Sequence, residues 1–177
     1  MSLFKSVSGR LTMTIFGVLM VGNCWGQAVA PIINYARLAQ PVWAQHGMVS
    51  SQEQLATRIG VEILEQGGNA VDAAVAVGFA LAVTLPRAGN LGGGGFMLVH
   101  RAQEQQTIAI DYRESAPLAA DKDMFLDAAG NADSQKSRFS GLAVGVPGTV
   151  KGLIHALDAY GRMTLQQVMR PAIKLAR

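Results

Sequence analysis

The distribution of apolar and polar positions predicts a chain of alternating helices and short strands. We predict a short strand at Met48–Ser50, followed by a helix that Ser50 and Glu53 would start as a capping box. The left-handed end of this helix is predicted at Gly67-Gly68. The face predicted to be buried consists of small and apolar residues at helical spacing: Ala56, Ile59, Gly60, Ile63 and Leu64.

A second helix is predicted to begin after Asn69, whose side chain suits the N-cap, with Asp72 opposing the helix dipole in the first turn. The segment from Ala73 to Leu85 is apolar on every side and ends before Pro86. A helix of this length and composition is typical of a buried core element, because a membrane span needs about 20 apolar residues.

Two strands joined by a polar tip are predicted at 96–100 and 107–111, which favours a hairpin. The polar region 118–138 predicts a short helix and a surface loop. A third helix is predicted after Gly145-Val146-Pro147-Gly148 and ends at Gly161. Its predicted buried face comprises Val150, Leu153, Ile154 and Leu157.

The last predicted helix begins at Leu165, because Thr164 and Gln167 have capping-box spacing. Pro171 is predicted either to kink this helix or to start another. No terminating glycine or polar tail follows, so we interpret the chain as truncated at its C-terminus.

Residues 1–30 have the pattern of a secretory signal peptide. Lys5 and Arg10 are the only charges in this segment, and the apolar run 11–21 has signal-peptide length. Cleavage is predicted at about residues 26–30, and Cys24 is predicted to leave with the peptide, a lipid anchor being the alternative. The expected localisation is therefore periplasmic or secreted. The chain also lacks a basic stripe, which argues against a nucleic-acid partner.

Four consecutive glycines, Gly92, Gly93, Gly94 and Gly95, precede the predicted hairpin. They lack the lysine of a phosphate-binding P-loop and fit no dinucleotide fingerprint. Glycines at such a position allow backbone to approach other backbone, or a ligand, very closely. We favour tight packing at the entry to the sheet over direct ligand contact, so the run is predicted to be a structural glycine-rich loop.

Arg113 is the strongest candidate for a binding residue, because it follows a predicted strand end and its planar guanidinium matches a carboxylate. Residue type alone also permits a structural ion pair with Asp111 or Glu114. Metal binding is not expected, since the three histidines are far apart without neighbouring ligands. No catalytic nucleophile is expected either, because Ser140 has no recognisable base partner.

Three blocks in this order resemble the large subunit of γ-glutamyltranspeptidases: Gly67-Gly68-Asn69-Ala70-Val71-Asp72-Ala73, Asn90-Leu91-Gly92-Gly93-Gly94-Gly95-Phe96-Met97 and Asp111-Tyr112-Arg113-Glu114. The resemblance implies that residues 31–177 are the N-terminal portion of that subunit. It further implies an α/β fold, part of the four-layer αββα sandwich of N-terminal nucleophile hydrolases. In that family the arginine of the third block binds the α-carboxylate of the γ-glutamyl group, and Arg113 stands at its position.

The resemblance also implies a reaction and a partner. The reaction would be γ-glutamyl transfer from glutathione or a related amide to water, an amino acid or a peptide, through a threonine ester. The threonine begins a small subunit released from the same precursor, outside the matched segment. No cofactor is implied. A related acylase or poly-γ-glutamate transferase, and a non-catalytic truncated remnant, are the alternatives, whereas a nucleotide-binding domain is disfavoured by the absent P-loop lysine.

Overall fold

A computed structural model describes residues 41–177 of the chain. The signal peptide predicted at 1–30 lies outside these residues. From Ala44 onward the chain forms one unit, built of five helices, a short 3-10 helix and one two-stranded sheet within the described range. The helices are α1 (Gln54–Glu65), α2 (Ala70–Thr84), α3 (Ser134–Phe139), α4 (Thr149–Tyr160) and α5 (Leu165–Leu175), and the strands are β1 (Phe96–Arg101) and β2 (Gln106–Asp111).

Helix α2 is the centre of the core and packs against α1, α4 and α5. Its predicted burial is confirmed at most positions as far as Ala80, whereas Ala74 is exposed and residues 81–85 are half-buried or, at Val83, exposed. The predicted face of α1 is also confirmed, with Leu64 half-buried at its edge. The buried core includes Ala56, Ile59, Ile63, Val75, Ala76, Phe79, Ala80, Leu153, Leu157 and Val168.

The start of α1 differs from the prediction. Met48–Ser50 forms no strand, because no other described segment pairs with it; the Val49 side chain instead packs towards Gly60. The N-cap is Glu53, not Ser50, and its carboxylate accepts a hydrogen bond from the Ala56 N–H at 2.9 Å. That backbone hydrogen bond holds the pKa of Glu53 below its ordinary value.

The start of α2 follows the prediction and adds a contact that no local pattern contains. Gly67 has φ of +91°, and Asn69 and Asp72 form a reciprocal capping box. The Asp72 carboxylate is fully buried and also accepts from the backbone N–H groups of Arg162 (2.9 Å) and Met163 (3.0 Å). It therefore joins the start of α2 to the turn between α4 and α5.

The predicted hairpin is confirmed, with each strand one residue longer than expected. Its strands are antiparallel, in a register that pairs Phe96 with Asp111 and Arg101 with Gln106. One face contributes Val99 and Ile110 to the core. The hairpin delivers the chain to residues 112–114, immediately after β2.

The predicted buried face of α4 is confirmed in part, since Leu153 and Leu157 are buried. Val150 is exposed and Ile154 only half-buried, while the small residues Gly152 and Ala156 are buried beside Leu153. A pattern of large apolar residues does not predict the burial of Gly152 and Ala156. Whether such small residues are buried depends on how closely a neighbouring side chain approaches the helix.

In α5 the capping box of Thr164 and Gln167 is confirmed, and the helix continues through Pro171.

The polar region between the hairpin and α4 forms the predicted short helix, α3, and turns. Asp133 caps α3, and isolated bridges join Ser115 to Val146 and Leu126 to Ala132. A bilayer-spanning length of apolar helix does not occur between residues 41 and 177.

Candidate substrate-binding site

Arg113 lies just beyond β2, with its side chain exposed to solvent. Its backbone N–H donates to the Asp111 carboxylate at 3.0 Å, which fixes the turn out of the strand. Its guanidinium makes no ion pair with Asp111 or Glu114; the one ion pair among the described residues joins Arg101 to Glu104. The structural alternative proposed for Arg113 is therefore not formed, and the planar donor face is open to an anion.

A cavity of about 340 Å³ adjoins Arg113 and is bounded by the end of β2, Ser115 and the first turns of α4. Lys151 adds a second cation to its wall, and Asp111 is the one carboxylate in the lining. His155 is exposed on α4 and also borders this cavity. The excess of positive charge favours an anionic ligand over a neutral or cationic one.

The glycine-rich loop lies against the backbone of the Arg113 segment. A Cβ at Gly94 would lie 2.6 Å from the Glu114 nitrogen and 2.8 Å from the Arg113 Cα. Such distances leave no room for a side chain, so Gly94 is a packing position. Gly92 and Gly93 are less crowded, and the Gly93 carbonyl accepts hydrogen bonds from the first backbone N–H groups of α4.

Tyr112 lies between the glycine-rich loop and α4. Its backbone exchanges two hydrogen bonds with Gly95, with Tyr112 N–H donating at 3.0 Å and Gly95 N–H donating at 3.3 Å. Its ring occupies the space left by the absent side chains of Gly95 and Gly152. Burial raises the pKa of the Tyr112 phenol above its ordinary value.

The structure places the glycine-rich loop next to the Arg113 segment. In the sequence the two are separate blocks, so their contact could not be read from it. It adds Tyr112, Gly148 and Gly152, which sequence reasoning did not select. A signal for Gly152 existed, because an interior helical glycine costs about 1 kcal/mol relative to alanine and usually has a packing reason. The described residues contain no group of three or more metal-ligating side chains.

Ser140 is accounted for without catalysis. Its hydroxyl donates to the Lys136 carbonyl at 2.5 Å and accepts from the Leu142 N–H at 3.3 Å. It therefore links α3 to the following 3-10 helix. Both partners are backbone groups of neighbouring turns, so these two hydrogen bonds are structural.

Comparisons with known proteins identify the family and the fold. The family model for γ-glutamyltranspeptidase matches residues 56–177. The glutathione hydrolase proenzyme of Escherichia coli is 54% identical over 173 residues, which cover 94% of this chain and 30% of that protein. The crystal structure of Helicobacter pylori γ-glutamyltranspeptidase superposes with a TM-score of 0.74 at 51% identity, covering 77% of this chain and 39% of that one.

Cephalosporin acylase from Bacillus halodurans is more distant, with a TM-score of 0.66 at 26% identity over 82% of this chain and 27% of its own. The fold is thus part of the N-terminal nucleophile hydrolase fold. Within that class, the chain belongs to the γ-glutamyltranspeptidase family. It spans about 30% of the length of the first curated relatives it matches.

Proposed function

We propose that this chain is the donor-binding part of an enzyme that transfers a γ-glutamyl group from glutathione, or a related amide, to water, an amino acid or a peptide. The observation that carries the proposal is Arg113, whose guanidinium forms no ion pair with a described residue and lies beside a cavity with two cations, Arg113 and Lys151, and one carboxylate, Asp111. A guanidinium in this setting can hold the donor α-carboxylate through two parallel hydrogen bonds.

The chemical step requires a nucleophile from outside the matched segment. A threonine hydroxyl would attack the γ-carbonyl, the amine would leave, and water or an acceptor amine would then break the resulting ester. Several relatives are named proenzymes, which supports a small catalytic subunit cut from the same precursor as the partner. Holding the α-carboxylate at Arg113 would fix the distance from that threonine to the scissile bond.

A related acylase or poly-γ-glutamate transferase remains the alternative activity, supported by the likeness to cephalosporin acylase and to the Bacillus anthracis transpeptidase CapD. The positive charge beside Arg113 favours a donor with an α-carboxylate, which glutathione and poly-γ-glutamate both carry, over an acyl donor that lacks one. A non-catalytic remnant is the other alternative, and activity in an assembled enzyme separates it from the proposal.

The proposal is tested in a graft: the Escherichia coli proenzyme with this chain in place of the segment to which it aligns. We expect this grafted proenzyme to cleave itself and to hydrolyse γ-glutamyl-p-nitroanilide. Antibody detection of the small subunit and release of p-nitroaniline are the two measurements. A soluble graft that neither matures nor releases p-nitroaniline, beside an active unmodified host, would refute the proposed function.

Residues 31–177 alone are expected to have no γ-glutamyl transfer or hydrolysis activity. The physical reason is that the described residues hold a binding arginine and no activated nucleophile. The measurement is p-nitroaniline release by the purified chain, with host enzyme removed by expression in a strain lacking it. Turnover above the buffer blank would contradict this expectation.

The exported protein is expected to lack residues 1 to about 28, since Lys5, Arg10 and the apolar run 11–21 form the pattern that export machinery removes. We propose a periplasmic or secreted location on the same ground. Mass spectrometry of the exported chain measures its N-terminus. An intact Met1 or Ser2 would contradict the prediction, and a diacylglyceryl group on Cys24 would make the protein a lipoprotein.

A further inference from the structure

We propose that Tyr112, held between glycines on both sides, is a positioning residue that sets the place of Arg113 for the donor carboxylate. The glycines are Gly94 and Gly95 of the glycine-rich loop and Gly148 and Gly152 of α4 and its N-cap, and we call the four together the glycine clamp. The inference rests on the proposed function of Arg113 and adds how the position of this exposed arginine is fixed.

The clamp first fixes the backbone on each side of Arg113. A Cβ at Gly148 would lie 1.8 Å from the Tyr112 carbonyl oxygen, and one at Gly94 would lie 2.7 Å from the same oxygen. The Tyr112 carbonyl is therefore enclosed by two chain segments that are distant in sequence. The two segments are themselves joined, because the Gly93 carbonyl accepts from Gly148 N–H at 2.9 Å and from Thr149 N–H at 3.0 Å.

The clamp also fixes the aromatic ring. A Cβ at Gly152 would lie 2.1 Å from Tyr112 Cγ and 2.3 Å from its Cβ, and a Cβ at Gly95 would lie 2.9 Å from Cε2. A rotation about χ1 could move the ring away from a side chain at Gly152, but it could not move the Tyr112 Cβ, whose position the backbone fixes. Relieving that contact therefore requires a shift of the Tyr112 backbone or of α4, and a shift of the Tyr112 backbone moves the peptide that carries Arg113.

Fixing this backbone matters because the Arg113 side chain is long and solvent-exposed, so its own packing does not hold it. A backbone anchor restricts where the guanidinium can meet a carboxylate. Misplacing a substrate by about 1 Å can lower the rate about 100-fold. Tyr112 and the glycine clamp therefore act on donor binding through Arg113 and not through contact with the substrate.

The test is Gly152→Ala in the grafted proenzyme, assayed with γ-glutamyl-p-nitroanilide and with γ-aminobutyryl-p-nitroanilide, which lacks the α-carboxylate. We expect KM for the γ-glutamyl donor to rise about tenfold or more, with a smaller change in kcat, while kcat/KM for the carboxylate-free donor stays within about twofold. The matched control is Gly78→Ala, another interior helical glycine. The three atoms nearest to its added Cβ, at 3.0–3.7 Å, all belong to Leu153, so it should crowd the core without changing the preference between donors.

Two substitutions of Tyr112 test the same idea if Gly152→Ala fails to fold. Tyr112→Phe keeps the ring and should retain the donor KM. Tyr112→Ala removes the ring and should raise KM by about the same factor as Gly152→Ala. In the double variant with Gly152→Ala, the two effects should not add, because both act on one contact.

The results that would refute this inference differ from those that would refute the proposed function. If the graft with unchanged Gly152 and Tyr112 uses both donors equally well, the role of Arg113 fails. If that graft prefers the γ-glutamyl donor, yet Tyr112→Ala and any soluble Gly152→Ala protein keep the same preference, Tyr112 has no positioning role. Equal losses on both donors, matched by Gly78→Ala, would make the clamp a packing feature only.

Discussion

Arg113→Ala in the grafted proenzyme is expected to lower kcat/KM for γ-glutamyl-p-nitroanilide by a factor that corresponds to about 2–4 kcal/mol. The loss follows from leaving the donor α-carboxylate without its charged hydrogen-bond partner. Initial rates over a range of donor concentrations give the value directly. Arg113→Lys should recover only part of the loss, since an ammonium cannot reproduce the planar pair of donors.

Self-cleavage of the Arg113→Ala precursor should persist, because maturation does not involve the donor carboxylate. Arg170→Ala is the matched control: Arg170 is also exposed, on α5, and is absent from the lining of the Arg113 cavity. It should leave kcat/KM within about twofold. If Arg113→Ala instead blocks maturation, or lowers activity no more than Arg170→Ala does, Arg113 is not the donor-binding residue.

Asp72→Ala is expected to lower the free energy of unfolding of residues 31–177 by about 3–5 kcal/mol. The carboxylate is fully buried, and its removal leaves the N–H groups of Asn69, Arg162 and Met163 without an acceptor. Urea unfolding followed by far-ultraviolet circular dichroism measures the change. Asp72→Asn should lose less, because one acceptor oxygen remains while the amide presents hydrogens to the other donors.

Asp158→Ala is the control for Asp72, since Asp158 is exposed on α4 and makes no side-chain hydrogen bond among the described residues. Its substitution should change the free energy of unfolding by no more than about 0.5 kcal/mol. A loss at Asp72 of no more than about 1 kcal/mol, the typical value of a capping residue alone, would show that Asp72 is only a local helix cap. In that case the link between α2 and the α4–α5 turn contributes nothing measurable to stability.

The elements set by local chemistry were predictable. Asn69 and the capping box before α5 use side chains that reach their own helix, so residue spacing is enough to place them. The hairpin likewise follows from two apolar runs and a polar tip. In each case the interacting groups lie within a few residues of one another.

The start of α1 was predicted wrongly for a local reason, whereas the other differences depend on distant segments. Ser50 and Glu53 have capping-box spacing, but the helix begins later and uses the Glu53 carboxylate alone. The buried face of α4 includes Gly152 because Tyr112 occupies the neighbouring space. The second role of Asp72 depends on a turn about ninety residues away, which no local pattern contains.

The candidate site was likewise predictable in part. Residue type made Arg113 a candidate for binding a carboxylate, but it also permitted a structural ion pair with Asp111 or Glu114. The resemblance to a family indicated donor binding. In the structure, Arg113 forms no ion pair with either residue. The enclosure of Tyr112 could not be predicted, because it needs three segments to meet at the distances that only glycine permits.

The most direct test of the account compares kcat/KM of the self-cleaved grafted proenzyme for γ-glutamyl-p-nitroanilide and γ-aminobutyryl-p-nitroanilide. The two donors share a leaving group and differ only in the α-carboxylate that Arg113 is proposed to hold. We predict a preference of about 30-fold or more for the γ-glutamyl donor, equivalent to at least about 2 kcal/mol, and its near-complete loss in Arg113→Ala. Equal kcat/KM values for the two donors, in a mature and active graft, would contradict the account.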